Sequence, residues 1–248
     1  MFKNLFKRIG FYDDPERRLS PEEKFFSNVV GCADIKKLLF KCVISKEPVN
    51  ILLTGPPSSS KTVFLLEMLE GLDDAYFVDG AGATGAGIID YLFNSDTKYL
   101  LIDEIDKMKR NVQAVLLNVM ETGIISETKL NGRTRQKKMK LWIFATSNNV
   151  YRLSEPLRSR FMELHLREYA FEEFREIVVK VLEIRYQMDK NISEKIAYAV
   201  WNQLKSKDVR DAVKIAKLAK SPMDVEWLVQ VQMKHAKYPQ NLNDPVID

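Results

Sequence analysis

The stretch that decides the fold runs Val49-Asn50-Ile51-Leu52-Leu53-Thr54-Gly55-Pro56-Pro57-Ser58-Ser59-Ser60-Lys61-Thr62-Val63-Phe64-Leu65-Leu66. A short apolar run gives way to glycine, prolines and serines, then to a lysine, a threonine and a second apolar stretch. The first run predicts a buried strand over Val49–Thr54, and the last predicts a helix over Lys61–Glu70. A loop between them turns backbone N–H groups toward a helix N-terminus, where the helix dipole favours a phosphate. Gly55, Pro56, Pro57, Ser58, Ser59 and Ser60 are the candidate cradle. Lys61 is the candidate partner of the β- and γ-phosphates of a bound ligand, and Thr62 a candidate Mg2+ ligand. Glycine is the usual residue before that lysine, and the Cβ of Ser60 in its place restricts positive φ.

Working outward, short apolar runs predict further strands at Ala75–Val78, Tyr99–Asp103 and Leu141–Thr146. Helical periods fall between them at Gly87–Phe93, Asn111–Glu121 and Pro156–Arg160. Near-continuous apolar strands alternating with helices imply an α/β fold, a parallel sheet sandwiched by helices. Ligands in such sheets gather at the C-terminal strand edge. There Tyr99–Asp103 ends in the carboxylates Asp103 and Glu104, a candidate Mg2+ ligand and the candidate base for the attacking water. The run Leu141–Thr146 ends near Asn148, the candidate for positioning that water. Downstream lie Arg160, in Glu155–Phe161, and Arg210, which opens a later helix; both suit charge stabilisation at a transferring phosphate.

The same pass divides the chain. Residues 1–24 form an N-terminal arm with an amphipathic opening (Phe2, Leu5, Phe6, Ile9); a helix is expected over Pro15–Phe26, with Ser20 as N-cap and Pro21 at the first helical position of its second half. Residues 25–168 form the nucleotide-binding core. After residue 168 only helical periods remain, at Phe171–Gln187, Ile192–Leu204, Lys207–Lys220 and Met223–Lys237. They predict an all-helical lid over 169–238 and a loose tail over 239–248.

Composition excludes other classes. The chain has 248 residues, 46% of them hydrophobic and 29% charged, which suits a folded protein with a sizeable core. Two cysteines, Cys32 and Cys42, make no disulfide framework and read as core residues of one helix. His165, packed at a strand edge, and His235 are too far apart in sequence for a zinc motif. No apolar run approaches the ~18 residues of a membrane span, and no signal peptide is visible, so the expected compartment is the cytoplasm. The net charge of +4 is local: residues 129–140 hold Lys129, Arg133, Arg135, Lys137, Lys138 and Lys140 and no acid. Asn131-Gly132 within this stretch predicts a two-residue turn, and hence a basic hairpin over 123–140. Cations without a stacking aromatic suit a sequence-neutral grip on phosphates. Gly80-Ala81-Gly82-Ala83-Thr84-Gly85 matches a dinucleotide fingerprint, but Asp103 is better used as a metal ligand, so a substrate-facing loop is expected there.

Taken in order, residues 55–62, 99–104, 145–149, 155–161 and 208–211 resemble the motif series of the AAA+ ATPases, especially the RuvB-type branch-migration motors and MCM helicases. The resemblance implies a Walker A pair in Lys61 and Thr62, a Walker B pair in Asp103 and Glu104, a sensor in Asn148, a trans-acting arginine finger in Arg160 and a lid sensor in Arg210. It also implies that Val29 and Val30 lie near the adenine and that the subunits form a hexameric homo-oligomeric ring. The hairpin would then project toward DNA through Lys129, Arg133, Arg135, Lys137 and Lys138, with an adaptor protein as a further partner. RuvB-type motors continue past the lid into a winged helix, for which the 38 residues after Arg210 are too few. A protein-remodelling ATPase of the MoxR kind and a loader-type ATP switch are the alternatives.

Overall fold

The computed structural model describes residues 19–128 and 134–235. Their core is a five-stranded parallel sheet of β1 (Ile51–Thr54), β2 (Ala75–Asp79), β3 (Tyr99–Asp103), β6 (Trp142–Ser147) and β7 (Met162–His165), in the spatial order β2-β3-β6-β1-β7. A separate antiparallel hairpin pairs β4 (Ile124–Thr128) with β5 (Thr134–Lys138). Helices α1 (Pro21–Phe25), α2 (Ala33–Val43), α3 (Lys61–Gly71), α4 (Gly85–Asn94), α5 (Arg110–Thr122) and α6 (Glu155–Arg158) surround the sheet. After Arg167 a second compact unit begins, built from α7 (Phe171–Tyr186), α8 (Lys190–Asn202), α9 (Val209–Ala216) and α10 (Pro222–Lys234).

Side-chain alternation along the central strands explains the layers. Ile51, Leu53, Leu101 and Phe144 join one core with Phe26, Leu39, Phe64 and Met68 from α2, α3 and the segment after α1. Their neighbours Leu52, Leu100, Ile102, Ile143 and Ala145 join the other, with Ile88 and Leu92 of α4 and Val112 and Leu116 of α5. β1, β3 and β6 are thus apolar on both faces, as a sheet covered on both sides requires.

Several boundaries differ from the sequence reading for local reasons. In the described segment the first helix begins at Pro21, because Ser20 caps it through Glu23 in a reciprocal capping box. Cys32 is not on the helix that holds Cys42: it precedes α2 in the left-handed region, φ 53°. The predicted helix over Lys207–Lys220 shortens to α9, because the side chain of Asp208 caps the N–H of Arg210 and turns follow Ala216. Arg160 lies past the end of α6, in the turn leading to β7. The segments 1–18, 129–133 and 236–248, with Lys129, Arg133, the Asn131-Gly132 turn, most of the arm and the tail, lie outside the described residues.

Candidate nucleotide-binding site

β1, β6 and β3 are adjacent, so the segments after Thr54, Ser147 and Asp103 emerge side by side at one sheet edge. The loop after β1 needs Gly55, which has φ +147° and where a Cβ would lie 2.3 Å from the carbonyl oxygen of Leu166. Ser58 and Ser60 both adopt positive φ, 65° and 61°. The chain therefore makes the turn that glycine normally makes and carries the strain of two Cβ atoms in the left-handed region.

Ser60 is the N-cap of the eleven-residue α3 but makes no side-chain capping bond, which leaves the helix N-terminus available to an anion. Lys61 is buried and folds back on its own loop: its Nζ donates to the carbonyls of Gly55 (2.9 Å) and Pro56 (2.6 Å) and to Ser59 Oγ (3.2 Å). Burial pushes the Lys61 ammonium below the usual lysine value, while the carboxylates of Asp103, Asp106 and Glu104 oppose that effect.

Thr62 Oγ1 lies 3.0 Å from both carboxylate oxygens of Asp103. A hydroxyl facing a carboxylate is a hard-oxygen donor pair, the kind that suits Mg2+. Thr146, a buried residue of β6 that the sequence reading did not single out, ties the two acids together. Its Oγ1 donates to Asp103 Oδ1 at 2.5 Å and accepts the backbone N–H of Glu104 at 2.8 Å. Glu104 has φ 52°. Its Oε1 accepts from Asn148 Nδ2 at 3.3 Å, and its Oε2 accepts from Lys107 Nζ at 2.5 Å. Buried Asp106 accepts the N–H of Asn148 at 3.1 Å and so fixes the loop that carries it. Lys61, Thr62, Asp103, Glu104 and Asn148 are therefore brought together.

The other candidates stand in other surroundings. The side chain of Val29 is buried in the core, its carbonyl accepts from Lys36 Nζ at 2.5 Å, and Val30 is half-buried beside it. Glu67 of α3 anchors this segment by accepting from Asn28 through both side chain and backbone. Arg160 pairs with Glu121. Arg210, in the helical unit, bonds its own N-cap residue Asp208. His165 is exposed, not packed as read from sequence, with Nδ1 3.2 Å from Thr54 Oγ1. In the glycine-rich loop, the N–H of Gly80 donates to the Asp103 carbonyl at 2.7 Å, and a Cβ there would lie 2.3 Å from the Glu104 carbonyl. That glycine permits β2 to approach the acidic end of β3.

The basic hairpin is fastened to α4. Arg135 bonds Glu127 across the hairpin and Asp90 of α4, and its guanidinium lies 4.2 Å from the Phe93 ring centroid. Lys137 donates to the carbonyls of Leu92 (3.0 Å), Phe93 (3.5 Å) and Ser95 (2.6 Å), capping the C-terminal end of α4. Lys138 is exposed, and Lys140 pairs with Glu47.

Residues 72–161 match the family described as AAA domain (dynein-related subfamily). Over that stretch the chain is similar to AAA+ domains. It is 30% identical over 196 residues to the Holliday junction branch migration complex subunit RuvB of Ehrlichia canis, covering 73% of this chain and 59% of that protein. It is 26% identical over 179 residues to the DNA replication licensing factor mcm-5 of Caenorhabditis elegans, covering 61% of this chain and 23% of that one. The chain thus spans about three fifths of the first relative and about a quarter of the second. A solved structure of a Thermotoga maritima RuvB mutant aligns with TM-score 0.65 at 20% identity, covering 83% of this chain and 72% of the other. The fold of the described residues is the AAA+ fold of this neighbour. No helix among the described residues is long and apolar enough to cross a membrane.

Proposed function

We propose that this protein hydrolyses ATP as a subunit of a homo-oligomeric, hexameric ring and uses the energy to move or remodel DNA. The observation that carries the ATPase reading is the convergence of Lys61, Thr62, Asp103, Glu104 and Asn148 at one sheet edge, beside an uncapped helix N-terminus. The loop N–H groups and Lys61 bind the phosphates; Lys61 exchanges its carbonyl partners for phosphate oxygens. Thr62 and Asp103 would hold Mg2+, which neutralises charge on the phosphates. Glu104 accepts a proton from the attacking water, and Asn148 orients that water. Arg160 of a neighbouring subunit and Arg210 of the helical unit, acting as a lid, stabilise the charge that develops. Val29 and Val30 border the adenine through their backbone.

The DNA reading rests on the basic hairpin. Arg135 and Lys137 already have intramolecular partners, so exposed Lys138, together with Lys129 and Arg133, makes the phosphate contacts. The same commitment of Arg135 and Lys137 favours, as second reading, a hairpin that grips a polypeptide in a MoxR-like remodeller.

The test is ATP turnover measured against protein concentration, with and without single-stranded, duplex and four-way DNA. The proposal expects turnover that rises more than linearly with protein, is stimulated by DNA and loses that stimulation as salt rises. Glu104→Gln should bind ATP and not turn it over. Hydrolysis indifferent to DNA at low salt would leave the polypeptide reading. Tight ATP binding with negligible turnover in the unmodified protein, with or without DNA, would leave the loader-type switch.

A further inference from the structure

Helix α3 serves the site at more than its N-terminus. Phe64, Glu67 and Gly71 recur along one side of it at helical spacing, and each receives a residue of the segment that leads into Val29. Phe26 meets Phe64 edge-on, with ring centroids 5.3 Å apart. Phe25 lies over Gly71, where a Cβ would stand 2.3 Å from Phe25 Cε2. The contact nearest Val29 is polar and belongs to Glu67. Its Oε2 accepts the backbone N–H of Asn28 at 3.2 Å and the Ser27 hydroxyl at 3.5 Å, and its Oε1 accepts from Asn28 Nδ2 at 2.5 Å.

Aromatic contacts of this kind tolerate sliding, whereas hydrogen bonds are directional, so Glu67 fixes where Asn28 stands along α3. Glu67 is buried while Ser27 and Asn28 are exposed. A buried carboxyl group needs hydrogen-bond partners, and this segment supplies three. The next residue is held from a different helix, because buried Lys36 of α2 donates to the Val29 carbonyl at 2.5 Å. Gly31 and Cys32, with φ 69° and 53°, then turn the chain into α2. Val29 and Val30 therefore lie in a short span pinned, at Asn28, to the helix that begins with Lys61. Six residues separate Lys61 from Glu67, about 9 Å along the helix axis.

We infer that Glu67 is a positioning residue that sets the adenine-bordering segment at a fixed distance from the phosphate loop, so that one preorganised frame receives both the base and the triphosphate. The inference rests on the ATPase reading and deepens it. Without the Glu67–Asn28 contact the phosphate loop, the Thr62–Asp103 pair and Glu104 keep their own partners. The segment around Val29 and Val30 does not keep its place. The cost therefore falls on the part of the affinity that the base supplies.

The test uses the full chain with Mg2+ and measures affinity for ATP and for inorganic tripolyphosphate, together with KM and kcat for ATP. It compares wild type with Glu67→Ala, Asn28→Asp and the Asn28→Asp/Glu67→Gln double variant. Glu67→Ala removes the acceptor, and Asn28→Asp sets one carboxylate against another. Each should weaken ATP binding by about tenfold and raise KM to match, with tripolyphosphate affinity and kcat within about twofold of wild type. The double variant exchanges donor and acceptor and should recover most of the lost ATP affinity. Asn28 is exposed, so its substitution probes the contact even where Glu67→Ala does not fold. Equal losses for ATP and tripolyphosphate would mean that Glu67 merely supports α3, and they overturn the inference. Unchanged ATP affinity in both single variants overturns it as well, as does a double variant that recovers nothing. A wild type that binds tripolyphosphate as tightly as ATP also overturns it, because the base then supplies no affinity to lose. A wild type that binds neither ligand overturns the ATPase reading, and the inference with it.

Discussion

Arg160 reaches across 39 residues of sequence to Glu121 at the end of α5, with Nη2 2.5 Å and Nε 3.2 Å from the same carboxylate oxygen. Glu121 stands two residues before Gly123, which caps α5 in the left-handed conformation and opens β4. The candidate finger is therefore paired at the root of the basic hairpin. Both side chains are about half exposed, so the pair contributes roughly 0–1 kcal/mol. Glu121→Ala should leave stability within about 1 kcal/mol and shift half-maximal turnover to at most about fivefold lower protein concentration. A denaturation midpoint and a concentration series measure the two effects.

If Arg160 acts on the neighbour's nucleotide, Arg160→Ala should reduce turnover by about 10³-fold or more while ATP still binds. Mixing Arg160→Ala subunits with Glu104→Gln subunits should restore part of the activity. In a mixed ring some intact Glu104 sites face an intact Arg160. A mixture no more active than the sum of its components would mean that the arginine does not work in trans.

How much of this was legible in the sequence depended on where the determining partners lie. The β1–loop–α3 unit was legible because strand, loop and helix are contiguous and each announces itself locally. Asp103, Glu104 and Asn148 were legible because an apolar run points to each strand end. β7 gave no such signal: Met162 and Glu163 are exposed on an edge strand, so the apolar run is missing. The partners of Arg135 and Lys137 on α4 are 42–45 residues away, and no local pattern encodes them. Thr146 lay unmarked inside an apolar strand, where its hydroxyl gains meaning only from the end of the adjacent β3.

Thr146 supplies a separate test. Replacing it with valine keeps the shape, removes a donor from Asp103 and leaves the N–H of Glu104 without its acceptor. An unpaired buried group of this kind costs roughly 1–3 kcal/mol. Thr146→Val should lower the denaturation midpoint accordingly and weaken Mg2+-dependent ATP affinity. Thr146→Ser, which keeps the hydroxyl, should restore most of both. Equal behaviour of the two variants would show that the hydroxyl does not organise the acids.

Ser60 yields a prediction of the opposite sign. Its left-handed conformation costs an L-residue about 1–2 kcal/mol, and glycine removes that strain. Glycine also gains unfolded-state entropy, which returns about 0.4–1 kcal/mol. Ser60→Gly should therefore stabilise by up to about 1 kcal/mol with ATP affinity retained, whereas Ser60→Val should destabilise. Urea titrations of both variants give the comparison, and a destabilised glycine variant would contradict the strain assignment.

The two neighbouring cations Lys137 and Lys138 separate holding the hairpin from gripping DNA. Lys137 caps α4 through three carbonyls; charged hydrogen bonds are worth roughly 1.5–3 kcal/mol, discounted here to about 1–2 because the residue is half exposed. Lys137→Ala should thus lower Tm by about 2–8 °C for a chain of this size. Lys138 is exposed on the same strand, and its replacement with alanine should leave Tm unchanged. If Lys138 neutralises one phosphate, Lys138→Ala reduces the slope of log affinity against log salt by about one. Thermal scans and DNA titrations over a salt series read both quantities. A salt slope that falls for Lys137→Ala but not for Lys138→Ala would reverse the assignment, because the clamp on α4 would then be yielding its lysine to DNA.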